Sequence, residues 1–235
     1  MADTIKPIQR FELQAEGDLA LFSIPEYKMK GSFTSYPVPT YEAILNMVKQ
    51  VYWKPTIDYV IEAVRVMNKI QMVHIGQRLI SWGSYSPRRV AIAYLKNVCY
   101  QVKGYFIWNE DRPDMIKDRI PEKHSNELKT AIKRGGRQNP HFGTSECRAF
   151  IKPCVFGEGE SFYDDYDAMY FGRMEHGFTY PKRDDPDQTV YERFWLVNME
   201  NGIINYIKPE ECEEITAVPK GPVKKRKAKE KKNAS

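Results

Sequence analysis

Two short helical patterns set among runs of β-forming residues constrain this chain more than any other feature. In the first, Tyr41, Ile44, Leu45, Val48, Val51 and Tyr52 recur at helical spacing after Thr40, a residue suited to the N-cap, until Lys54-Pro55 stops the pattern. The second lies in EKHSNELKTAIKRGGR, Glu122 to Arg137. Pro121 suits its first turn, Leu128, Ala131 and Ile132 form one apolar stripe, and Gly135-Gly136 supply a C-terminal cap. Before the first helix, Phe11 to Ile24 alternates as a strand, or as a hairpin if the chain turns near Gly17-Asp18. Between the helices, DYVIEAVRVMNKIQMVHIG and AIAYLKNVCYQVKGYFIWN are rich in β-branched and aromatic residues, and ECRAFIKPCVFG follows the second helix. Strand, helix, two strands, helix, strand predicts an α+β, ferredoxin-like (RRM-like) β-α-β-β-α-β domain, with both helices on one face of an antiparallel sheet.

The texture changes near Gly157. FYDDYDAMYFGRMEHGFTYPK and TVYERFWLVNMENGIINYI are aromatic-rich strand runs separated by the acidic loop DDPDQ. The expected division is a ferredoxin-like domain over 1–156, a smaller β-rich antiparallel module over 157–217, and a disordered basic tail over 218–235. That tail carries net +7 of the chain's +5, so the body comes to −2 and any nucleic-acid site in it must be a local patch. Residues 117–137, with seven Lys/Arg against three Asp/Glu, form such a segment.

No run approaches the roughly 18–20 apolar residues of a membrane helix, and MADTIKPIQRFELQ lacks a signal-peptide core, so a cytoplasmic protein with no membrane partner is expected. Cys99, Cys147, Cys154 and Cys212 show no C-x2-C pair and read as reduced, packed thiols. FGEGES (Phe156 to Ser161) has no following helix to make it a phosphate loop, and DDYD (Asp164 to Asp167) reads as a solvated acidic loop before a cation site.

One constellation carries chemistry. Cleaving RNA without a metal requires a proton to leave the ribose 2′-OH, charge on the phosphorane to be stabilised, and the departing 5′-oxygen to be protonated. Lys123-His124 places an imidazole and an ammonium at a helix start that favours anions. His124 also lies on the apolar stripe, four residues before Leu128, where a packed histidine would look identical. Tyr52 is similarly ambiguous, being on a core stripe yet in the last turn beside Trp53 and Lys54, where a phenol can emerge at the fold edge.

YPVPTYEAI (Tyr36 to Ile44), VYWKPTIDYVI (Val51 to Ile61), NKIQM, WNEDRPD, EKH, AIKRGGR, FGTSEC, HGFTYP and MENG occur in an order that resembles the Cas-five subunit of the subtype I-C CRISPR system, from about Phe11 to Cys212. The resemblance implies metal-independent endoribonuclease cleavage of CRISPR precursor RNA at the repeat hairpin, with the 5′ handle retained in the I-C surveillance complex. It implies catalytic roles for Tyr52, Lys123 and His124, with no metal and no cofactor. Partners are then the repeat hairpin and the other subunits of the complex, with contact to DNA left open. A non-catalytic scaffold that holds the RNA handle is the alternative. Relatives usually carry arginine where FGTSEC here has Ser145. Lys133, Arg134 and Arg137, at a glycine-rich bend, are the expected RNA-binding cations.

Overall fold

The computed structural model describes residues 7–25, 33–79, 88–181, 189–212 and 214–218. The tail expected to be disordered and the DDPDQ loop lie outside the described residues, apart from Val218. The main sheet is built from β1 (Gln9–Ala20), β2 (Phe33–Thr34), β3 (Ile57–Val66), β4 (Met72–Leu79), β5 (Arg88–Trp108), β6 (Phe150–Lys152) and β9 (Ile203–Asn205). Its backbone order is β6-β1-β5-β3-β9, with β2 and β4 paired to the early part of β5. The four strands β6, β1, β5 and β3 pair antiparallel throughout, and with helices α1 (Tyr41–Val51) and α2 (Pro121–Lys133) they form the ferredoxin-like core.

Each element follows from its residues. Thr40 caps α1 as its spacing predicts, its hydroxyl accepting from the Ala43 N–H at 3.3 Å. Ile44, Met47, Val48 and Val51 of α1 and Leu128, Ala131 and Ile132 of α2 are buried in one core with Leu13, Ile61 and Phe106 of the sheet. The first helix stops at Val51, short of Lys54-Pro55. Tyr52 turns extended, at φ −155° and ψ 126°, and the Tyr59 hydroxyl donates to its carbonyl at 2.8 Å. β1 runs through Gly17-Asp18 without turning. Gly17 sits there because a Cβ would lie 2.5 Å from the Arg148 carbonyl oxygen, so the residue permits close packing and marks no hairpin.

The strand expected in ECRAFIKPCVFG shrinks to three residues, since Pro153 has no N–H to continue the ladder. A second sheet, β10-β8-β7, contains β7 (Met169–Thr179), β8 (Tyr191–Met199) and β10 (Glu214–Ala217). The chain then leaves it: β9 pairs with β3 through Ala63, Val64 and Arg65, and Met174, Trp195, Val197 and Ile204 join the same core as the two helices. The loop after Gly157 covers the sheet's other face, where buried Arg65 donates to the carbonyls of Glu158 and Gly159 and to Asp164 at 2.7 Å. Those bonds tie down the glycine-bearing stretch and ion-pair Asp164, the first acid of the DDYD loop. All four cysteines are free thiols. No helix among the described residues is long and apolar enough to cross a membrane.

Candidate active site

The site forms where β3 begins, β5 ends and α2 starts. Tyr52 leaves the end of α1 and His124 faces inward from the first turn of α2, and the Tyr52 hydroxyl lies 2.8 Å from His124 Nδ1. The other ring nitrogen, Nε2, is 2.8 Å from the main-chain carbonyl of Asp118. A carbonyl only accepts, so Nε2 carries a proton, and in the neutral ring Nδ1 is then the acceptor for the tyrosine hydroxyl. Trp108 and Phe106 close the imidazole edge-on, with ring centroids at 5.7 and 6.4 Å.

Tyr52 and His124 are both 0% exposed. The phenol therefore does not emerge at the edge of the free protein, because the Arg137 guanidinium lies over its ring, 4.7 Å from the centroid. The Arg137 guanidinium is in turn ion-paired with Glu127, and the residue's main-chain N–H donates to the Val51 carbonyl at 3.0 Å, which ties the glycine-rich bend after α2 to the end of α1. Burial, reinforced by the Glu127 charge, pushes the Tyr52 hydroxyl well above the ordinary phenol range. It stays protonated at neutral pH and donates.

Lys123 points outward, with 42% of its side chain exposed, and is ion-paired with the Asp118 carboxylate. The ammonium next to His124 in sequence is thus charge-compensated, and does not act on the ring as an isolated cation. The Lys123 bond, and then the Thr56 hydroxyl donating at 2.9 Å, hold the Asp118 carboxyl below the usual range. The same contact raises the Lys123 ammonium.

Tyr52, Lys123, His124 and Arg137 come together as one cluster. Arg134 caps the end of α2 and, with Arg137, Gly135, Gly136 and Arg148, lines an adjoining groove of about 420 Å³. Lys133 is exposed at the end of α2 and lines no part of that groove. Sequence reasoning passed over Asp118, Thr56, Glu127 and Arg148. Only the crowding of charge in residues 117–137 pointed toward the first and third of these. Among the described residues no three His, Cys, Asp or Glu side chains converge as metal ligands would.

At class level, this is an α+β protein of ferredoxin-like strand order with a buried tyrosine–histidine pair rimmed by cations. The chain belongs to the CRISPR-associated protein (Cas_Cas5) family, which matches residues 11–207. It is 27% identical over 154 residues to a protein of Thermus thermophilus named CRISPR pre-crRNA endoribonuclease Cas5d; the match spans 61% of this chain and 64% of that relative's length. A solved structure described as a CRISPR-associated protein has a TM-score of 0.73 and 30% identity, covering 90% of this chain and 98% of the other. A functionally uncharacterized protein from Streptococcus mutans has a TM-score of 0.74 and 32% identity, covering 91% of this chain and 100% of that one.

Proposed function

We propose that this chain is a metal-independent endoribonuclease that cuts CRISPR precursor RNA at the repeat hairpin, through attack of a ribose 2′-OH on the adjacent phosphate. It keeps the 5′ handle as a subunit of the I-C surveillance complex, in the cytoplasm. The observation that carries this reading is the Tyr52–His124 hydrogen bond with Lys123 at its rim. The name of the Thermus thermophilus relative supports the activity.

In this reading the 2′-OH passes its proton to the Tyr52 oxygen while Tyr52 passes its own to His124 Nδ1. The freed 2′-oxygen bonds to phosphorus and the bond to the 5′-oxygen breaks. Tyr52 serves as a relay because its raised pKa makes a standing phenolate unfavourable. Lys123 leaves Asp118 to meet the phosphorane charge, and its ammonium is the exposed proton donor for the departing 5′-oxygen. RNA reaches the phenol only by drawing Arg137 away from the Tyr52 ring, and a phosphate is the group that competes with Glu127 for that guanidinium. Lys133 and Arg134 continue the phosphate contacts along the bend. Unpaired bases and hairpin shape supply sequence selection, since the A-form major groove is too narrow for side chains.

The products test the chemistry. The upstream fragment should end in a 2′,3′-cyclic phosphate, and the downstream fragment should accept a 5′ label from polynucleotide kinase without phosphatase treatment. A 5′-phosphate on the downstream fragment would refute attack by the 2′-OH.

A further inference from the structure

Asp118, which the sequence did not single out, touches two of the three candidate catalytic residues, Lys123 and His124. Its carboxylate takes Lys123 Nζ on Oδ1 and the Thr56 hydroxyl on Oδ2 at 2.9 Å. Its main-chain carbonyl takes the Nε2 proton of His124 at 2.8 Å, and Oδ2 lies 3.5 Å from the same nitrogen. Thr56 is 1% exposed and sits just before β3, so it is a fixed point on the sheet. Asp118 itself ends the 3-10 turn Pro113–Asp118, which contains no buried residue and so lacks an apolar anchor of its own. A turn without such an anchor is placed by its polar contacts.

We propose that Asp118 is the positioning residue of this site. Gripped by Thr56, its side chain fixes where its own carbonyl stands. That carbonyl holds the imidazole as the Nε2–H tautomer and leaves Nδ1 free to accept from Tyr52. The same carboxylate holds Lys123 beside the ring until a phosphate competes for it. Asp118 makes no contact with the reacting atoms; it acts through His124 and Lys123. This role rests on the endoribonuclease reading.

The test compares wild type, Asp118→Ala, Asp118→Asn and the exposed Glu122→Gln control, with repeat-hairpin RNA and with 15N-histidine labelling. Each protein is scored for thermal unfolding, RNA affinity, single-turnover cleavage and the tautomer of the His124 ring. Asp118→Ala should bind RNA within about threefold of wild type yet cut on the order of 10–100-fold more slowly, with the ring signals moving from the Nε2–H form toward a tautomer mixture. Asp118→Asn, which retains the shape and an acceptor for Thr56, should recover part of the rate, and Glu122→Gln should match wild type. Cleavage by Asp118→Ala within threefold of wild type would overturn the proposal. So would a parallel loss of folding, binding and cutting in both Asp118 variants, which is what a purely structural residue gives. If wild type binds but does not cut, the nuclease reading fails by itself, and the ring signals decide about Asp118: a shift in Asp118→Ala supports positioning, and unchanged signals overturn it.

Discussion

The Tyr52 hydroxyl and His124 Nδ1 stand 2.8 Å apart, joining the end of one helix to the start of another across 72 positions of chain. Because His124 Nε2 is spent on a carbonyl, that contact runs from tyrosine to histidine in the neutral ring. Removing the hydroxyl should therefore strand a buried acceptor as well as break the proposed relay. Tyr52→Phe should lose about 1–3 kcal/mol of stability in urea unfolding, from the unsatisfied Nδ1. It should cut RNA roughly 10²–10⁴-fold more slowly, with affinity little changed. Cleavage at the wild-type rate would remove Tyr52 from the chemistry.

Arg137 is shared between the Tyr52 ring and Glu127. Glu127→Gln should release the guanidinium for phosphate and tighten RNA binding by up to about fivefold, the range of a partly exposed ion pair. Glu122→Gln, which removes the same charge from the same helix without freeing a cation, is the comparison. Equal tightening in both variants would mean that only bulk charge had changed.

His176 gives the fold an acid sensitivity. It is fully buried, stacked on Tyr41 at 4.4 Å between centroids, and Nε2 donates to the Ile207 carbonyl at 2.9 Å. Burial lowers its pKa from 6.5 to about 4, with Arg193 adding to the effect and the Ile207 bond and Glu210 opposing it. A histidine whose folded pKa is depressed contributes stability that is fully present above its unfolded pKa and lost as pH falls. The window here runs from pH 6.5 to about 4, and the loss across it is about 3 kcal/mol. Denaturant melts of His176→Phe should show a pH dependence smaller by that amount in this window; an unaltered dependence would rule His176 out as its source.

The last seventeen residues lie outside the described structure but carry eight Lys/Arg against one Glu. Deleting 219–235 should flatten the salt dependence of binding to unrelated RNA while leaving hairpin cleavage intact. Loss of cutting by the folded truncation would place the tail in the reaction.

The two helices were legible because their stripes are periodic, and with two strand runs between them they fixed a ferredoxin-like topology. β9 was not legible. Ile203–Asn205 reads locally as a continuation of β8, and nothing in three residues says that it pairs with β3 on the other sheet. His124 and Tyr52 were visible only as ambiguous stripe residues, since a contact spanning 72 positions leaves no local pattern; the family resemblance joined them. Asp118 was hidden in DMIKDRI because an acid among bases is ordinary on a surface. Its place at the site comes from a 3-10 turn that brings it back to Thr56 and the start of α2.

The most direct test is single-turnover cleavage of a labelled I-C repeat hairpin in excess EDTA, using wild type, His124→Ala, and a substrate with a 2′-deoxy substitution at the cut site. Wild type should cut without metal, and both changes should abolish cutting while RNA still binds. Activity that vanishes in EDTA and returns with magnesium would contradict the mechanism, and binding without any cutting by wild type would leave a scaffold that holds the RNA handle.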